Sequence, residues 1–212
     1  LTEREAKRVL ADYGLPVTRE SLARTADEAA AYAREIPGGV ALKIDSADIA
    51  HKTEAGAVRL GLRGDDAVRR GFSEVLAAAK TYAPHARING VLVQEMVPPG
   101  VEMMLGVISD PVFGPVVACG LGGIHVEVLR DVSYRVAPVT REDARAMLQE
   151  LRGYKILEGV RGMPARDIDM LCELIERLSW FAHDFRDEVA EVDINPVVVM
   201  QHGAGARVVD AL

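Results

Sequence analysis

Cysteine is scarce in this chain: Cys119 and Cys172 are the two thiols among 212 residues. They stand far apart in apolar surroundings, one strand-like and one helix-like, which excludes a disulfide framework and any clustered metal pattern. They read as buried free thiols of a reducing compartment, so a cytoplasmic location is expected. Positive charge is also short. A formal net charge of -7 and a pI near 5.3 argue against nucleic acid or anionic membrane as partner, because phosphate affinity needs a basic surface. Any anionic ligand must be met by a local cluster. No apolar run approaches the roughly 20 residues that span a bilayer, and no signal-peptide pattern opens the chain. Hydrophobic residues make up 49%, enough for one sizeable core or for two lobes sharing a cleft. The first residue is Leu1 instead of methionine, which leads to the expectation that the chain was cut from a longer polypeptide.

The stretch VALKIDSADIAHKTEAGAVRLGL, residues 40–62, organises the rest. Val40, Leu42 and Ile44 alternate with Ala41, Lys43 and Asp45, so a strand would project Lys43 away from the aliphatic face. Residues 46–56 form a polar loop carrying Asp48, His51, Lys52 and Thr53, expected to act as a mobile cover over a phosphate. Residues 57–62 would return as the second strand of a hairpin. Before it, Thr2 with Glu5 and Thr25 with Glu28 have capping-box spacing and predict two helices, the first with Ala6, Val9, Leu10 and Tyr13 on one face. After it come a helix over 65–82, a strand over 90–97, and the Pro98-Pro99-Gly100 run, which predicts a hinge between lobes at residues 1–97 and 98–212. Strands are expected at 102–108, at 116–119 and in a pair where Glu127, Asp131 and Arg135 alternate with valine and leucine. Helices over 140–151 and 165–185 and strands over 189–200 and 207–209 complete the chain.

Several residues could carry chemistry. Lys43 could meet a phosphate as a point charge, or face solvent as most strand lysines do. His51 is a nucleophile candidate or a surface residue. Asp193 and Asn195 share a strand face, and the final turn brings Asp210 near them. Such oxygens suit magnesium, though acidic and amide groups at strand ends also serve as turn chemistry. The glycines from Gly120 to Gly123 could be a phosphate nest or a tight turn.

Their order is more telling than any one of them. LKIDSADIAHKTEAGAV, VLVQEMVPPGVEMMLGV, DPVFGPVVACGLGGIHVEVLRDVSYRVAPV and EVDINPVVV with VVDAL together resemble the ATP-grasp domain of ADP-forming acyl-CoA synthetases, related to the succinyl-CoA synthetase β chain. The resemblance covers nearly the whole sequence. It implies an α+β ATP-grasp fold with two lobes and a nucleotide cleft between them, cofactors ATP/ADP and Mg2+, and an acid-thiol ligase. The full reaction would need a CoA-binding domain or subunit, in the same longer chain or in trans, through which carboxylate and CoA are supplied.

By the same resemblance, Lys43 and Lys52 would contact nucleotide phosphates, Gln94, Glu95, Met96 and Val97 would meet adenine through their backbone, and Glu102 would hold the ribose. His51, in a DIxHK loop, would carry a phosphoryl group. Asn195, Asp210 and Asp193 would ligate magnesium, and Gly122, Gly123 and Glu127 would face the incoming phosphohistidine of the partner. Relatives usually carry two adjacent glycines where this chain has Gly56-Ala57, which predicts a less mobile loop. A different class of function shares the pattern: a nucleotide-binding regulatory or vestigial domain of a protein acetyltransferase. A carboxylate-amine ligase would share the nucleotide site but have no use for His51.

Overall fold

The structure is a computed structural model that describes residues 1–123 and 131–212. It divides into two compact units, one formed by Leu1–Ala6 with Thr18–Val97 and the other by Lys7–Val17 with Pro98–Leu212. Helix α1 (Glu3–Asp12) begins in the first unit and continues into the second.

In the first unit, strands β1 (Glu20–Ala23), β2 (Val40–Asp45), β3 (Val58–Leu62) and β4 (Gly90–Glu95) form an antiparallel sheet ordered β1-β4-β2-β3. Helices α2 (Ala26–Glu35) and α3 (Asp65–Tyr82) pack against it. Leu42, Ile44, Val91 and Val93 meet Val68, Phe72 and Val75 in one apolar cluster, as period-two strands and a period-3.6 helix require. Thr25 caps α2 by accepting from the Glu28 backbone N–H, which the capping-box spacing predicted. Strand β1 was not legible: Glu-Ser-Leu-Ala is too short and too polar to announce itself, and pairing with the apolar β4 makes it a strand.

The second unit holds β5 (Val101–Asp110), β6 (Gly114–Leu121), β7 (Val132–Val136), β8 (Glu191–Val199) and β9 (Ala206–Val208), antiparallel in the order β7-β6-β5-β8-β9. Helices α4 (Arg141–Glu150), α5 (Tyr154–Glu158) and α6 (Ile168–Asp184) follow β7. Leu171, Leu174, Ile175 and Leu178 recur at helical spacing on α6 and are fully buried, as are Leu105, Val117 and Cys119 of the sheet on which the helix packs. The chain is thus of the α+β class. Short helix α5 falls between Gly153 and Gly159, where periodicity cannot show through five residues. No helix among the described residues is long and apolar enough to cross a membrane.

Candidate functional site

Strand β2 is buried along its whole length. Lys43 does project from the face opposite Leu42 and Ile44, but it does not end in water. It is 5% exposed, and its Nζ lies 2.8 Å from Glu3 Oε1. Lys52 is equally buried, with its Nζ 2.9 Å from Glu3 Oε2. An ammonium removed from water needs a counter-charge, and one carboxylate from the first turn of α1 serves both lysines.

The loop expected to cover a phosphate is a hydrogen-bonded turn. Ile49, Ala55 and Ala57 are buried, Ser46 Oγ donates to the Arg87 carbonyl, and the Arg87 N–H donates to Asp48 at 2.8 Å. Backbone bonds from Ala55 to His51 and from Ala57 to Lys52 close the turn. Its polar side chains do not keep the loop off the core, because its few apolar residues reach it. His51 and Thr53 stay exposed, so the imidazole is presented to solvent from a fixed base. Gly56 takes a positive φ of 62°, while Ala57 fills the apolar cluster with its methyl group. Only the first of the two glycine positions therefore requires glycine.

At the end of β4, Gln94 lies inside the ladder, paired with Glu20 on one side and Ala41 on the other. The Glu95 N–H donates to the Arg19 carbonyl, and the Glu95 carboxylate accepts from the Arg19 N–H. Of the four residues expected at adenine, Met96 and Val97 are those lying beyond the ladder, and Met96 is exposed.

In the second unit, the chain end runs antiparallel to β8. Asp193 and Leu212 exchange backbone hydrogen bonds, Ile194 bridges Ala211, and the Val209 N–H donates to the Pro196 carbonyl. That register sets Asn195 beside Asp210, both half-buried, with Asp193 exposed two residues back on the strand. Asn195 Oδ1 accepts from the Gly123 N–H at 3.2 Å, and an amide oxygen retains a second lone pair for a cation. Among the described residues, no group of three or more His, Cys, Asp or Glu side chains is arranged to hold a metal. A carboxylate beside an amide oxygen fits magnesium, which takes one or two protein carboxylates and completes its shell with water and phosphate oxygens.

Gly122 and Gly123 read as a tight turn. The Gly122 N–H donates to the Glu102 carbonyl at 2.8 Å, and a Cβ on Gly122 would come within 3 Å of the Met103 backbone. Gly123 has a φ of 61° and lies against the Glu102 carboxylate. Glu102, Gly123 and Asn195 are thereby brought together. Glu127 lies outside the described residues.

Two charged residues escaped the sequence reading. The buried face of α1 is Glu3, Ala6, Lys7 and Leu10, whereas Val9, expected on that face, is 41% exposed. Glu3 and Lys7 are in phase with Ala6 and Leu10 at the spacing of a helix stripe, and that phase was the available signal. Lys7 Nζ donates to the Val209 carbonyl at 3.1 Å, one residue before Asp210. The thiols are buried: burial pushes Cys119 up to about 12 and raises Cys172 as well. Neither forms a thiolate near neutral pH.

A model of the ATP-grasp domain matches residues 1–212. The β subunit of acetate–CoA ligase [ADP-forming] II from Pyrococcus furiosus is 44% identical over 211 residues, which cover 100% of this chain and 89% of that subunit. The 4-hydroxybutyrate–CoA ligase [ADP-forming] of Nitrosopumilus maritimus is 44% identical over 210 residues, 99% of this chain but 30% of that protein. The dinucleotide-forming acetyl-coenzyme A synthetase 1 of Ca. Korarchaeum cryptofilum, in complex with coenzyme A, Ca-AMPCP and HgCl+, matches with a TM-score of 0.95 at 44% identity, covering 100% of this chain and 91% of that one. The same enzyme with coenzyme A and Mg-AMPPCP, its phosphohistidine segment pointing towards the nucleotide binding site, matches at 0.85 and 41% identity, covering 100% and 90%. The chain belongs to the ATP-grasp domain family, in the branch represented by the β subunits of ADP-forming acetate–CoA ligases.

Proposed function

We propose that this chain is the nucleotide-binding part of an ADP-forming acyl-CoA ligase, which converts a carboxylate, CoA and ATP reversibly into acyl-CoA, ADP and phosphate. A CoA-binding part, fused or separate, supplies the carboxylate and CoA sites, and an acyl phosphate and phosphohistidine link the two halves of the reaction. Without that part the chain binds MgATP and takes a phosphoryl group onto His51, but makes no acyl-CoA. The observation that carries this reading is an exposed imidazole at His51, on a hydrogen-bonded turn whose next residue, Lys52, is buried with its ammonium on Glu3.

A neutral imidazole nitrogen is a good nucleophile at phosphorus. Its lone pair forms the N–P bond as the bond from the γ-phosphorus to the bridging oxygen breaks, and those electrons leave with ADP. The proton on the other ring nitrogen is shed as the ring returns to neutrality. Lys43 and Lys52 are the cations for the phosphate oxygens, and Met96 and Val97 offer backbone to the base. Glu102 is the ribose acceptor. Asn195 and Asp210, with Asp193 on the same strand, would hold magnesium, which when bound would neutralise charge on the phosphate oxygens. Gly122, Gly123 and Glu127 belong to the side met by the partner's phosphohistidine.

Incubating the intact protein with γ-labelled ATP tests the reading. Acid-labile label is expected on the wild-type protein and none on His51→Ala; equal label on both removes the histidine role. A protein that binds MgATP yet never takes label would fit the regulatory alternative instead.

A further inference from the structure

We infer that Glu3 is a positioning residue for the phosphoryl-transfer step, the shared counter-ion that fixes Lys43 and Lys52 relative to each other and thereby sets the place of His51. The inference rests on the phosphohistidine reading above and adds to it a residue from outside its motifs.

The geometry is specific. Glu3 is 1% exposed, and its two carboxylate oxygens are divided between two lysines, Oε1 to Lys43 at 2.8 Å and Oε2 to Lys52 at 2.9 Å. One lysine stands on strand β2 and the other in the turn that follows it. Two ammonium groups held close together repel strongly where water is excluded, and the carboxylate between them removes that repulsion. Lys52 is the next residue after His51, and the carbonyls of both accept the backbone bonds that close the turn. A shift of Lys52 therefore moves the imidazole.

Glu3 also competes with any phosphate for the same ammonium groups. Removing its charge while keeping its shape removes that competitor, so nucleotide should bind at least as well, but in the wrong place for transfer. A residue that only held the fold together would lower affinity, rate and melting temperature in step. Misplacement by an ångström is enough to slow a reaction about a hundredfold.

The test uses Glu3→Gln in the intact protein, with the ATP dissociation constant and the rate of acid-labile labelling at saturating MgATP measured separately. The expected result is an affinity within about threefold of wild type, or tighter, with labelling slowed at least tenfold, and partial recovery in Glu3→Asp. Lys52→Gln should slow labelling similarly, and the Glu3→Gln/Lys52→Gln pair should be little slower than either alone, since both break one unit. The inference is overturned if Glu3→Gln labels at the wild-type rate while the wild type still labels His51, or if affinity, rate and melting temperature fall together. It is overturned as well if the losses from Glu3 and Lys52 simply multiply. A wild-type protein that takes no label on His51 sinks the phosphohistidine reading and this inference with it.

Discussion

The two units hold their candidate site residues by different means. In the four-stranded unit, charge holds charge: Lys43 and Lys52 are buried and both end on the Glu3 carboxylate. In the five-stranded unit, backbone does the holding, with Asn195 fixed by the Gly123 N–H and Asp210 placed by the antiparallel register of the chain end against β8. A cation kept by a carboxylate can exchange it for a phosphate oxygen without leaving its place. An oxygen donor kept by backbone hydrogen bonds retains lone pairs for a metal. On the proposed reading, each unit offers the charge opposite to that of what it would receive.

The sharpest way to break this contrast is to remove one group from each unit. Asp210→Ala should slow His51 labelling roughly 100-fold, because metal stabilisation of phosphoryl transfer is worth several kcal/mol, and should raise the magnesium concentration for half-maximal rate. Lys43→Ala should weaken ATP binding about tenfold, the order of one charged contact, without changing the magnesium requirement. If both variants shift the magnesium requirement alike, the division of labour is wrong.

Gly122→Ala follows in size. Its new methyl group would meet the Met103 backbone, and overpacking of this kind costs about 1–3 kcal/mol, readable as a lowered urea midpoint. The reverse change in the other unit, Ala57→Gly, makes the glycine pair that the family resemblance led one to expect but deletes a buried methyl group. It should cost about 1 kcal/mol and leave labelling no faster, since the turn is anchored by Ile49 and Ala55. Faster labelling would show that loop mobility limits transfer.

Cys119 adds a pH dependence confined to the second unit. Its folded pKa of about 12 lies above the roughly 8.5 of an unfolded thiol, so the folded state binds more protons in that window. The contribution is complete below about pH 8.5 and is lost as pH climbs towards 12. Urea midpoints at pH 8 and pH 10 should differ more for wild type than for Cys119→Ala. The smallest effect belongs to Val9→Ser: an exposed side chain should change stability by less than about 0.5 kcal/mol, whereas a buried one would cost several times that.

Much of the fold was legible because its elements are periodic. The alternation over 40–44, the stripe on α6 and the cap spacings at Thr2 and Thr25 each reappear as strand, helix and cap. Strand β1 was not, since four half-polar residues become a strand only through a neighbour. The candidate site divides the same way. Lys43, His51, Asn195 and Asp210 stand in motifs that can be read in order, and the neighbourhood of Asn195 and Asp210 followed from the expected hairpin. Glu3 and Lys7 were lost because a charged residue on a helix is assumed to face water, and the burial of Ile49, Ala55 and Ala57 within residues 46–57 escaped because polarity alone does not show which residues reach the core.

The amino-acid sequence by itself determined the family, the alternating strands and the residues that could meet phosphate and metal, because these depend on local spacing and on motif order. Only the tertiary structure decided that a carboxylate at position 3 is shared by lysines at positions 43 and 52, and that the histidine loop is anchored. Which charges must pair depends on which of them folding withdraws from water, and burial is a property of the packed chain that no local spacing encodes.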